Sequence, residues 1–89
     1  MKVFKYSVPV NDTWVRVEMP KAAEIIHMET QGDIYGTVCF WALVNPDNPL
    51  VTREFRVYGT GHEINERVRP IGSCVIAGGR LVWHLMERV

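Results

Sequence analysis

The sequence predicts a mainly β fold, a small antiparallel β-barrel or two-layer β-sandwich of about six to seven strands, formed by residues 1–89 as a single β domain. Three observations predict it. Apolar and polar residues alternate in short stretches, turn residues separate those stretches at regular intervals, and little of the chain has a helical pattern. At 89 residues, 47% of them hydrophobic, the chain has room for one core, and either half alone would be too small for one.

The first two predicted strands form a β-hairpin. Apolar and polar residues alternate over residues 3–8 and again over residues 14–19. Between them, Pro9 to Asp12 supply turn-forming side chains, and Pro20 ends the second strand. Two alternating stretches joined by a short turn predict an antiparallel pair.

The next two strands differ in how they are recognised. Residues 21–28 can begin as a helical turn, but two consecutive isoleucines and the turn at residues 31–33 favour a third strand. An almost unbroken apolar run over residues 38–44 predicts a strand covered on both faces, at the centre of the fold. We therefore expect Trp41, and likewise Trp83 near the C-terminus, to lie in the core.

The second half of the chain predicts three more strands. Residues 45–49 read NPDNP, which strongly predicts a turn or loop. Alternation over residues 52–58 predicts the next strand. Residues 71–77 and 81–86 then form a last hairpin around Gly78–Gly79, a pair suited to the positive φ angles of a tight turn.

Charge and composition narrow the class of partner. Ten basic residues balance ten acidic ones, so no net positive charge draws the chain to nucleic acid or to an anionic membrane. The N-terminus lacks the apolar run of a signal peptide and no stretch approaches a membrane span, so we expect a cytoplasmic protein with no membrane partner. Because a small core leaves apolar surface uncovered, we also expect a homo-oligomer.

Cysteine and histidine spacing gives no sign of a metal site, a cofactor or an active site. Cys39 and Cys74 have no CxxC partner and each lies in an apolar stretch, which favours two free buried thiols over a disulfide. The spacing of the three histidines matches no metal motif. His84 is expected in the core or an interface with one hydrogen bond. No activated nucleophile is apparent, so we expect no catalytic residues and no enzyme.

The stretch GTGHE, residues 59–63, is the candidate ligand-binding loop. Its glycines let backbone amides approach an anion closely, and its side chains add polar groups. We expect Thr60, Gly61 and His62, with Arg56 nearby, to bind a ligand. The stretch matches neither GxGxxG nor the phosphate-binding P-loop, and an ordinary turn remains the alternative.

Two aromatic residues are candidates for an interface. Trp14 and Tyr58 fall on the polar phase of their strands, beside Arg16 and Arg56. Exposed aromatic rings next to arginines are used both in protein interfaces and in base stacking. The alternative is that both rings are partly covered surface side chains.

Four stretches in a fixed order resemble a known family. They are EMPKAA at 18–23, FWALVNP at 40–46, FRVYGTGH at 55–62 and WHLME at 83–87. Together they resemble small phage and prophage proteins of unknown function, and the similarity covers nearly the whole chain. The sequence departs from the family in having Arg80 after its last glycine and Asn45 where an acid would be expected.

The resemblance implies a setting, the cytoplasm of an infected bacterium, and it supplies no activity. It suggests a phage accessory or counter-defence protein that acts by stoichiometric binding. The partner would be either a host protein or a small anionic nucleotide messenger. The residues leave open a small OB-like protein that binds single-stranded nucleic acid, with Trp14 and Tyr58 as stacking platform, and a structural virion component.

Overall fold

Seven strands in two antiparallel sheets make up the computed structural model, which describes residues 1–30, 36–76 and 79–89. The strands are β1 (Lys2–Pro9), β2 (Val15–Pro20), β3 (Glu24–Glu29), β4 (Thr37–Val44), β5 (Leu50–Gly59), β6 (Val68–Ile76) and β7 (Leu81–Arg88). One sheet has three strands in the order β1-β4-β3, and the other has four in the order β2-β5-β7-β6. The described strands close no barrel, so the sandwich is the predicted architecture that fits and the barrel is wrong.

The apolar core lies between the two sheets. Phe40 of β4 and Phe55 of β5 are fully buried, and their ring centroids are 4.8 Å apart. Tyr6 of β1 stacks on Phe40 at 5.3 Å. Val8 of β1 and Leu85 of β7 are also fully buried, so both sheets contribute their inner faces to one core.

The hairpin predicted for the first 19 residues is wrong, although both of its strands exist. β1 pairs with β4, and β2 pairs with β5. The turn between β1 and β2 therefore carries the chain from the three-stranded sheet to the four-stranded one. Alternation shows that one face of each strand is buried, but it does not say which strand lies alongside.

Residues 24–29 form a strand, as the sequence favoured for this segment. A bulge between Ile25 and His27 shifts the register with β4. The β4 strand is the centre of its sheet, as predicted, but it is not covered equally on both faces. Trp41 pairs with Lys5 and His27 on the outer face and is only half-buried. Its predicted place in the core is wrong.

The C-terminal hairpin is confirmed, and Trp83 packs against the core as a half-buried residue. β6 begins at Val68, three residues before its predicted start, and a bulge at Ile71 interrupts its pairing with β7. In the turn, Gly79 has a φ of +90°, as expected of a glycine there. Gly78 and the turn predicted at residues 31–33 lie outside the described residues.

A buried ion pair joins the inner face of the four-stranded sheet to the turn before β3. Arg53 Nε and Nη2 donate to the two carboxylate oxygens of Glu87 at 2.6 and 2.7 Å, and Nη1 donates to the carbonyl of Ala23 at 2.7 Å. The hydrogen bond to Glu87 raises the pKa of Arg53 above its ordinary value. The pair therefore holds β5, β7 and that turn together.

Both cysteines are free, as predicted, with Cys39 buried and Cys74 half-buried. The described residues include no helix with the length and hydropathy that a membrane span requires.

Candidate functional site

The GTGH stretch forms a β-turn at the end of β5. The amide of His62 donates to the carbonyl of Gly59 at 3.2 Å, and Gly61 has a φ of +89°, which favours glycine at that position of a turn. The His62 ring folds back, and its Nδ1 accepts a hydrogen bond from the Gly59 amide at 3.2 Å. A Cβ on residue 59 would lie 2.9 Å from Cε1 of that ring. The turn thus accounts for both glycines.

Thr60 connects this turn to the outer face of the four-stranded sheet. Its Oγ1 lies 2.8 Å from Nε2 of His84 on β7, and Oγ of Ser73 on β6 lies 2.7 Å from Nδ1 of the same ring. His84 therefore makes two hydrogen bonds on an outer face. The predicted core position and the single hydrogen bond are wrong, and an interface position stays a prediction. When Nε2 carries the hydrogen, Thr60 accepts it and keeps its own hydroxyl hydrogen for a ligand.

A cleft of about 230 Å³ opens beside the turn. The described residues that line it are Gly59, Thr60, His62, Arg80, Leu81, Val82 and Trp83. They supply a guanidinium, an imidazole and a hydroxyl, and they include no carboxylate. Pockets that enclose drug-sized ligands measure about 300–1,000 Å³. The cleft is therefore sized for a phosphate or carboxylate group of a ligand rather than for a whole nucleotide.

The structure brings together two of the four predicted ligand-binding residues. Thr60 and His62 line the cleft, and Gly61 shapes the turn without lining it. Arg56 does not line the cleft, because its guanidinium stacks on the ring of Tyr58 at 4.7 Å. Its part in ligand binding stays a prediction.

Sequence reasoning missed three residues of this site. Arg80 stood out only as a departure from the family, Ser73 had no activating neighbour in the sequence, and His84 lay in an apolar stretch. Ser73 and His84 are direct cross-strand partners, so the register of the C-terminal hairpin is the sequence signal that could have placed them side by side.

The two predicted interface aromatics meet on the outer face of the four-stranded sheet. The rings of Trp14 and Tyr58 pack edge to face with centroids 6.3 Å apart, and Arg88 lies 4.7 Å from the Trp14 centroid. Tyr58 is only 3% exposed, and that burial raises the pKa of its phenol. The expected exposure of Tyr58 is wrong, because Trp14 and Arg56 pack against its ring. Trp14 is half-buried, and its place in an interface stays a prediction.

A larger cleft, of about 370 Å³, opens between the sheets where β3 approaches β6. Its two guanidinium groups, those of Arg53 and Arg69, lie 2.6 and 3.9 Å from the carboxylate of Glu87. Glu24 is also part of its wall. Because these charges balance, the smaller cleft beside Thr60 is the better candidate for an anionic ligand.

Metal coordination has no support in the described part of the chain, where no three histidine, cysteine or acidic side chains are grouped as metal ligands would be. The described lining of the cleft beside Thr60 offers hydrogen bonding and positive charge, together with apolar contact from Leu81, Val82 and Trp83.

Comparison with known proteins gives a family and nothing more specific. Residues 1–89 match the family described as a domain of unknown function (DUF7352). No curated protein and no solved structure matches the chain. Because the match extends over all 89 residues, the chain belongs to this family of uncharacterised domains.

Proposed function

We propose that this protein is a non-enzymatic binding protein that captures an anionic ligand at the cleft beside Thr60. The observation that carries the proposal is the set of side chains that line that cleft. Arg80 and His62 both line it, and no carboxylate does so among the described residues. A guanidinium and an imidazole N–H beside a hydroxyl are suited to the oxygens of a phosphate.

Hydrogen bonds around the cleft hold its donor groups in place, which favours a preformed site. The Gly59 amide fixes the His62 ring through Nδ1, so the neutral ring carries its hydrogen on Nε2, where it can donate to a ligand. His84, held in turn by Ser73, fixes the hydroxyl of Thr60. Donors that are already oriented lose less conformational freedom when a ligand binds, which favours affinity.

The ligand class that fits best is a small nucleotide messenger. Its phosphate would occupy the cleft, and its base and sugar would lie outside, because about 230 Å³ is less than a whole nucleotide needs. In the phage-infected cytoplasm that the sequence resemblance suggests, such capture would be a stoichiometric counter-defence activity. Capture of a host protein is the other form of the same proposal.

Binding of single-stranded nucleic acid is the less favoured function. It was expected to use Trp14 and Tyr58 as a stacking platform, but Arg56 already stacks on Tyr58 and the ring is buried. The net charge of zero also disfavours binding to a polyanion.

Isothermal titration calorimetry with inorganic phosphate, AMP and a cyclic dinucleotide tests the proposal. We expect a nucleotide to bind, and the double variant Thr60→Ala/His62→Ala and the single variant Arg80→Ala each to weaken binding about tenfold or more. Arg16→Ala, which removes an exposed arginine outside the cleft, is the matched control and should bind normally. Melting temperatures within a few degrees of the wild type would show that the variants fold.

Two results would overturn the proposal. One is that none of the three probes binds the wild-type protein. The other is that a probe binds all the variants equally well, which would place the site elsewhere. A loss of affinity with salt as steep as that of nucleic-acid binding would favour the alternative function.

A further inference from the structure

The outer face of the three-stranded sheet carries an aromatic and aliphatic centre. Trp41 on the middle strand pairs with Lys5 on one side and His27 on the other. Two positions along β4, Leu43 pairs with Val3. Val3 is 54% exposed, and Trp41 and Leu43 are half-buried. Apolar side chains on an open sheet face are a candidate docking surface.

The two edge strands of this sheet carry opposite charges on the same face. β1 contributes Lys5, whose ammonium lies 5.8 Å from the centroid of the Trp41 ring. β3 contributes Glu24 and Glu29, which pair with Leu43 and Cys39 and so lie on either side of the row that contains Lys5. Positive charge on one edge and negative charge on the other, with an apolar centre, make the face complementary to itself.

We infer that this face is the interface of a homodimer with a two-fold axis parallel to β4. Such an axis brings β1 of each copy over β3 of the other at the same height. Lys5 of one copy then lies between Glu24 and Glu29 of the other, and the two Trp41 rings pack at the centre. Each contact between Lys5 and the two glutamates occurs twice, as off-axis contacts do in any two-fold interface.

The size of the face makes this a weak dimer. Three strands about 4.8 Å apart, two of eight residues and one of six, with a rise of about 3.3 Å per residue, cover roughly 350 Å² in projection. The accessible surface buried by two such faces is less than the roughly 1,600 Å² of a standard interface, even when the uneven surface of the side chains is included. We therefore expect a Kd in the micromolar range, and dissociation at high salt because the charged pairs lie at the rim.

The interface leaves the cleft beside Thr60 open, because that cleft belongs to the four-stranded sheet. The inference therefore does not depend on the proposed function. A dimer with this geometry would carry two clefts on its outer sides.

Sedimentation velocity from about 10 μM to about 500 μM, a range that spans a micromolar Kd, tests the inference. The wild-type protein is expected to shift from monomer to dimer with concentration, and less so at high salt. Lys5→Glu should abolish the shift, and so should Glu24→Lys/Glu29→Lys. An equimolar mixture of these two variants should recover a heterodimer, because opposite charges then face each other at both edges of the interface. Lys21→Glu, outside the face, is the matched control and should behave like the wild type.

A fold check keeps the test decisive, because the charge variants should keep the circular dichroism spectrum and melting temperature of the wild type. A wild-type protein that stays monomeric at about 500 μM would overturn the inference, since that concentration exceeds a micromolar Kd many-fold. A dimer unaffected by Lys5→Glu would overturn it as well, by placing the contact on another surface.

Discussion

Replacing Glu87 by alanine removes one partner of the buried ion pair and leaves the other partner without a counter-charge. The carboxylate accepts two hydrogen bonds from Arg53, and the side chains of Arg53 and Glu87 are 18% and 9% exposed. Breaking such a pair from one side costs about 3–5 kcal/mol, because the remaining charge stays desolvated. Arg53 keeps its bond to the Ala23 carbonyl and some contact with water, so we expect the lower end, about 3 kcal/mol.

That loss is large for a domain of this size. At about 0.05–0.15 kcal/mol per residue, a chain of 89 residues has a free energy of unfolding of about 4–13 kcal/mol. Urea unfolding followed by tryptophan fluorescence measures the change. With an m-value of about 1 kcal/mol/M, Glu87→Ala should lower the unfolding midpoint by about 3 M urea. A protein at the low end of the stability range would keep only about 1 kcal/mol.

The matched control is Glu54→Ala, which removes a surface carboxylate 3.5 Å from Arg88. Exposed pairs of this kind contribute about 0.2–1 kcal/mol, so this variant should lose less than about 1 kcal/mol. Equal losses from the two variants would refute the reasoning, because burial would then make no difference to the strength of the pair.

Three further changes have defined outcomes. Gly59→Ala should cost about 1 kcal/mol in urea unfolding, since the new Cβ displaces the His62 ring and breaks its bond to the residue 59 amide; unchanged stability would contradict that contact. Burial raises the pKa of the Cys74 thiol above its ordinary 9.0, so alkylation of Cys74 in the folded protein should be slow at neutral pH and accelerate in alkali, while the buried Cys39 should react only after unfolding. Mass spectrometry of the alkylated peptides checks this, and equal rates for both thiols would contradict it. Because the pKa of Tyr58 is raised from 10.0, its neutral phenol stabilises the fold fully below that pH, and this stabilisation is lost as the pH rises further. Tyr58→Phe should therefore weaken the fall in the free energy of unfolding at alkaline pH. An identical fall in both proteins would contradict this role of Tyr58.

The strands could be predicted because their signal is local. Alternation, β-branched and apolar runs, and turn residues predicted all seven, with β6 displaced by three residues at its start. Strand pairing is not local. Alternation therefore could not predict that β1 pairs with the distant β4 and not with its sequence neighbour β2. The same limit explains the wrong prediction of a core position for Trp41, since an unbroken apolar run does not show which side chains point outward.

The candidate site was predictable to the extent that it lies in one stretch of sequence. Polar groups at a glycine turn identified Thr60 and His62, and both line the cleft. Ser73 and Arg80 come from the hairpin that follows and meet the turn only through the register of β5, β6 and β7. Arg56 was expected at the site because it is close in sequence, but its guanidinium lies over the ring of Tyr58 and does not line the cleft.

An NMR titration of the isotope-labelled protein with AMP tests the central claim, anion capture beside Thr60, most directly. We expect the amides of Thr60, Gly61 and His62 and the guanidinium of Arg80 to shift together and saturably, while signals from Trp41 and Lys5 on the opposite sheet stay in place. Shifts that fall mainly on Trp41 and Lys5 would contradict it, and so would the absence of any shift with AMP, inorganic phosphate and a cyclic dinucleotide alike.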